Sequence, residues 1–242
     1  LAAACLAPSL ASAHGRGKRD KGPRPTWGGW GHATLGTVVG SFGDVGSRLD
    51  DGDVLGGTIK HRPFGLMFGG GGRALLAGRY LIGGKGFAMV PQAQITSRGR
   101  SVMVGGGGGL DIGLVLYNKR NWLVYPLAGF GGFGYTLTID NQSEADVTVT
   151  PNISLSPEES IDLQAGFATF ELGVGIARSM FWGDPKSGGA GGMMHGLEVG
   201  VMMAVSEDRW KTDEDVSVAL PPASLIGGYL RMNIGGGGFF YK

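Results

Sequence analysis

Six charged residues carry most of the chemistry the chain offers: Arg73, Lys85, Asp111, Glu171, Glu198 and Arg231. Each sits in a segment where apolar and small residues alternate, on the parity opposite the apolar one. They come from six different segments and balance three against three. An unpaired charge is costly in a narrow, poorly hydrated interior, so charges gathered there must compensate one another. Such a set has three uses: a polar network filling the interior, the lining of a narrow pore or gate, or an acid and base doing chemistry.

The other candidates are weaker. The histidines are His14, His32, His61 and His195, and no two stand at metal-ligand spacing, so no metal site is expected. His195 has Ser179 and Glu198 as conceivable partners for hydrolytic or lipid-modifying chemistry, but its parity is the apolar one. Asp50, Asp51 and Asp53 have the oxygen ligands that Ca²⁺ prefers, yet their spacing is shorter than a complete calcium loop and lacks the closing Glu. A solvated acidic turn is expected there. Gly83-Gly84-Lys85-Gly86 lacks the first Gly and the Ser or Thr that a phosphate loop needs. No catalytic residues and no cofactor are assigned. Asp140, Glu144, Asp146, Glu158 and Glu159 make one connection acidic, and Glu207, Asp208, Asp213, Glu214 and Asp215 another. These loops suit hydrated surface or a surface partner.

The elements that must position these residues are strands. Of 242 residues, 49 are Gly, far above the usual share of about 7%. Apolar residues make up 42%, too many for a disordered chain, and a net charge of +1 gives no reason to expect nucleic acid. Residues 1–13 read as the end of a secretory signal peptide, with Ala11-Ser12-Ala13 as a cleavage site and His14 as the mature start. Cys5 lies inside that segment, in a context that only partly matches a lipoprotein site. Residues 14–31 are basic and rich in Gly and Pro, and are expected to be flexible. No apolar run is long enough for a membrane helix.

From residue 32 the pattern predicts eight strands, at about 32–44, 64–74, 79–95, 101–117, 121–139, 161–181, 192–205 and 223–241. In 101–117 Val102, Val104, Leu110, Ile112 and Leu114 share one parity and Asp111 takes the other. In 121–139 the apolar parity is Leu123, Tyr125, Leu127, Phe133, Tyr135 and Leu137. One face is therefore large and apolar and the other small, Gly-rich and occasionally charged, which suits lipid outside and a narrow interior. Pro91 and Pro126 fall inside these strands and fit poorly. Connections are long and polar at one end, short at the other, where Trp122, Tyr125, Phe181, Trp182, Phe239, Phe240 and Tyr241 collect.

This layout resembles the small eight-stranded outer-membrane barrels of Gram-negative bacteria. The segment Gly227-Gly228-Tyr229-Leu230-Arg231-Met232-Asn233-Ile234, running into Phe239-Phe240-Tyr241, resembles their closing strand. The resemblance implies an all-β, antiparallel up-and-down transmembrane barrel over 32–242, exported to the outer membrane and surrounded by its lipid. The expected role is structural or interactive in the cell envelope, without catalysis. The alternatives are a narrow channel for small polar solutes, a lipid-modifying outer-membrane enzyme, and a secreted soluble or fibre-forming protein.

Overall fold

The computed structural model describes residues 25–41, 64–90, 93–119, 121–150, 153–182, 189–206, 209–212, 218 and 226–241. Eight long strands form the wall: β1 (Pro25–Ser41), β2 (Phe64–Leu76), β3 (Tyr80–Val90), β4 (Gly99–Leu114), β5 (Trp122–Asn141), β6 (Ser160–Trp182), β7 (Gly189–Ala204) and β8 (Ile226–Tyr241). Each pairs antiparallel with its neighbour in sequence, and β8 pairs with β1, so the sheet closes on itself and leaves no free edge. The protein is an all-β, closed, up-and-down eight-stranded barrel.

Register fixes its dimensions. The ladder partner of Phe167 on β6 is Phe133, followed by Gly107, Phe87, Gly69, Thr34, Asn233 and Gly196. Gly196 pairs with Ala177, so one circuit returns to β6 ten residues further along. Eight strands with that stagger tilt roughly 40–45° from the barrel axis and leave an interior that side chains can fill. Among the described residues, the end carrying Pro25 and Tyr241 also carries the tight turn at 77–79, where Ala77 and Gly78 take positive φ. At the other end the described residues between strands are 93–98, 142–150, 153–159, 205–206, 209–212 and 218.

The outer face is apolar on every strand. Leu35, Phe68, Ile82, Ile112, Leu172, Val199 and Leu230 all stand 45–62% exposed. A monomer in water rarely shows so continuous an apolar surface, whereas a barrel in lipid requires one. No helix of the described residues is long and apolar enough to cross a membrane, and strands are the spanning elements in this class.

Several expectations need correction. Strand β1 begins at Pro25 rather than 32, so part of the stretch expected to be flexible contributes wall: Trp30 points inward and stacks on Phe239 at 5.7 Å. Strand β3 is described as far as Val90, and Pro91 lies outside the described residues. Pro126 does lie within β5, at a slip in the ladder. Gly113 pairs with Leu127 but Tyr117 pairs with Val124, one residue out of step. The Val124 carbonyl accepts from Leu116 N–H on that side, so the donor that Pro126 lacks faces the slip, where it is not needed.

The largest correction concerns β5. Its apolar parity faces the lumen, with Leu123, Tyr125, Leu127, Phe133, Tyr135, Leu137 and Ile139 all 5% exposed or less. The interior is therefore mostly apolar, in two layers. Trp30, Leu75, Leu81, Leu123, Leu127 and Phe239 fill the end with the termini. Val38, Met67, Met103, Phe133, Leu137 and Phe167 belong to the layer at the other end, which Val147, Val149, Leu155, Trp210 and Val218 join from the connections.

Inward glycines make room for large lumen side chains. A Cβ on Gly83 would sit 2.5 Å from Arg73 Cγ and 2.7 Å from Asp111 Oδ1. Gly83→Ala is expected to displace that pair and cost about 1–3 kcal/mol, read as a lower midpoint of denaturant unfolding in detergent. An unchanged midpoint would show that the pair has slack.

Candidate functional site

Arg73, Lys85, Asp111, Glu171, Glu198 and Arg231 project inward from β2, β3, β4, β6, β7 and β8 and meet between the two apolar layers. They form a closed ring in which cations and anions alternate. Arg73 pairs with Asp111 at 2.6 Å. Asp111 lies 3.5 Å from Lys85, and Lys85 lies 2.8 Å from Glu171. Glu171 pairs with Arg231, Arg231 lies 3.3 Å from Glu198, and Glu198 pairs with Arg73. Every ion thus touches two of opposite sign, and the ring carries no net charge. Five members are 6% exposed or less, and the Lys85 side chain is 11% exposed.

Two tyrosines complete the arrangement. The Tyr125 hydroxyl accepts from Arg73 Nη1 at 3.0 Å and donates to Glu198 Oε1 at 3.0 Å. The Tyr229 ring lies beneath the Arg231 guanidinium, 4.0 Å from its central carbon. Such stacking suits a weakly hydrated guanidinium. Alternation in the sequence puts Tyr125 on a lipid-facing parity and gives Tyr229 no role beyond the closing strand.

His32 also escapes the sequence pattern. It faces the lumen on β1, two residues beyond Trp30, and borders a cavity of about 10 Å³ with Thr34, Lys85, Arg231 and Asn233. Thr34 Oγ1 donates to Asn233 Oδ1 at 2.7 Å across the β1–β8 ladder. His195 is placed otherwise: it pairs with Arg178 on the outer face, while Ser179 and Glu198 are buried on the inner parity. No His–Ser–acid set assembles there. His14, His61, Cys5, the Asp50–Asp53 turn, the signal segment and most of the acidic 206–222 connection lie outside the described residues.

The mouth opposite the termini is covered by its connections. Residues 147–150 and 153–155 form a small hairpin. The Asn141 amide holds it by donating to the carbonyls of Ala145, Leu155 and Ser156 at 2.9–3.0 Å. Trp210 is fully buried beside it, and residues 211–212 pair with Leu163 and Gln164 on β6. Composition predicts hydrated surface for this connection; its acidic residues lie outside the described residues, while Trp210 and Val218 are buried in the mouth.

The fold and this lumen define a class, the closed outer-membrane-type barrel. No protein-family model matches the chain, and no curated protein matches it in sequence. Among solved structures, the crystal structure of the outer membrane protease OmpT from Escherichia coli matches at 13% identity, covering 90% of this chain and 98% of that one, with a TM-score of 0.36. The expectation of a structural or surface-interaction barrel without catalysis finds no support in that comparison and is withdrawn. The likeness concerns the barrel alone and passes no activity, substrate or residue role to this chain.

Proposed function

We propose that the protein is exported to a Gram-negative outer membrane and forms a narrow, gated conduit for small polar solutes, here in its closed state. The observation that carries this reading is the ring of alternating charges across the lumen. Filling a barrel needs no charge, since replacing buried ion pairs by packed apolar groups is often neutral or stabilising. Six ions retained between two apolar layers keep a polar surface inside the lumen. Because each ion already touches two partners, one contact can be exchanged for another without stranding a charge. The apolar belt on all eight strands supports residence in lipid, and the buried connection at Trp210 supplies an element that can leave the mouth at the cost of one two-residue pairing, with the eight-strand wall intact.

The test is current across a planar bilayer holding the purified, heat-modifiable barrel. Brief steps of low conductance, rare at rest, are the expected result. Bilayers that stay silent at every voltage, with insertion verified by protease protection, would remove the conduit reading.

A further inference from the structure

We infer that the cavity between His32 and the charge ring binds a single small monovalent anion of chloride size. The ring as a whole is neutral, but its faces are not equivalent. Of its six ions, Arg73, Lys85, Arg231 and Glu198 border the cavity, while Asp111 and Glu171 do not. Three cations therefore face one carboxylate across the space. The hydrogen-bond inventory has the same bias. Arg231 Nε is buried without an acceptor, in a residue 2% exposed, and His32 Nδ1, which donates in one tautomer and accepts in the other, is buried without a partner. The Lys85 ammonium has three hydrogens and at most two carboxylates to receive them. Asn233 uses its carboxamide oxygen to accept from Thr34, so the amide group left over is a donor.

A volume of about 10 Å³ available to the centre of a water-sized sphere holds about one such particle. A water there would accept two hydrogen bonds and would have to place its own two hydrogens among groups that are mainly donors. A halide accepts from all of them and brings the negative charge that the wall lacks. Burying that charge requires compensation, which falls to the three cations on the wall while each keeps its carboxylate partners in the ring. The site stands on the lumen geometry and does not need the barrel to conduct, so its failure and that of the conduit reading are separable.

The probe is chloride itself, followed by chlorine NMR linewidth on the full chain refolded in detergent, with gluconate holding the ionic strength constant. Saturable excess broadening that bromide reverses is expected. His32→Phe, which fills the cavity and leaves the ring intact, should weaken binding about tenfold or more, as should Lys85→Gln. If Lys85→Gln does not fold, His32→Phe decides alone. Absence of saturable broadening would mean the cavity holds water, and unchanged broadening in His32→Phe would place the ion elsewhere. Either result overturns the inference. Chloride binding in a barrel that passes no current would leave this site standing and remove only the conduit.

Discussion

Arg231→Met is expected to destabilise the barrel by about 3–5 kcal/mol, because it leaves buried carboxylates short of a partner. Arg231 bridges Glu171 and Glu198, which are 4% and 1% exposed. After the substitution Glu171 retains Lys85 and Glu198 retains Arg73, but three carboxylates then face two cations between apolar layers. For a chain of this size that loss lowers the temperature at which the folded band disappears on gels by roughly 6–20 °C. The double variant Arg231→Met with Glu171→Gln restores neutrality and should recover part of the loss, with a coupling of about 0.5–3 kcal/mol between the two sites. Lys85→Met should cost less, since the Lys85 side chain is more exposed and one of its contacts is 3.5 Å long. If Arg231→Met melts with the wild-type barrel, the carboxylates are solvated and the ring is not a sealed element.

That ring is partly legible in the amino-acid pattern. Strict alternation in β4, β6, β7 and β8 assigns Asp111, Glu171, Glu198 and Arg231 to the face opposite the exposed Ile112, Leu172, Val199 and Leu230. Parity alone does not say that six residues scattered from β2 to β8 meet at one level. That follows from the ten-residue stagger of the circuit, which depends on every ladder at once. The failure at β5 has a different cause. Alternation separates apolar from polar, and it identifies the lipid face only where the interior is polar. Here the lumen is dry above and below the ring, so Leu123 and Leu137 inside have the chemistry of Leu110 and Ile112 outside. Residue size separates the faces only in the far half of β5, where Phe133, Tyr135 and Leu137 lie inside and Gly132 and Gly134 outside. His32 is hard to find because the basic, Gly-rich stretch before it hides the start of β1. Trp210 is hard to find because its acidic neighbours give the connection the composition of hydrated surface.

Trp210→Ala is the substitution expected to change function most. The side chain is fully buried in the outer apolar layer with Ile139, Leu155 and Leu163. Its carbonyl accepts from Val218 N–H at 2.8 Å, which ties two parts of the connection together. Removing a buried Trp side chain typically costs about 3–5 kcal/mol. Here that cost falls mostly on docking of the connection, which among the described residues pairs with β6 at residues 211–212 and is hydrogen-bonded to Ala168 through Val205 and Ser206. The folded band should therefore persist near the wild-type temperature while the mouth opens more often. Each 1.4 kcal/mol is a factor of about ten in an equilibrium, so the full loss would favour the undocked state by more than about a hundredfold. The layer around Trp30 and Phe239 still closes the far end, which leaves an increase of at least about tenfold in open probability as the expected reading in bilayers. Trp210→Phe retains most of the buried area and should stay near wild type. A Trp210→Ala barrel that folds normally and gates as before would show that the connection is a passive cover, and would move the gate to the ring or to the Trp30 layer.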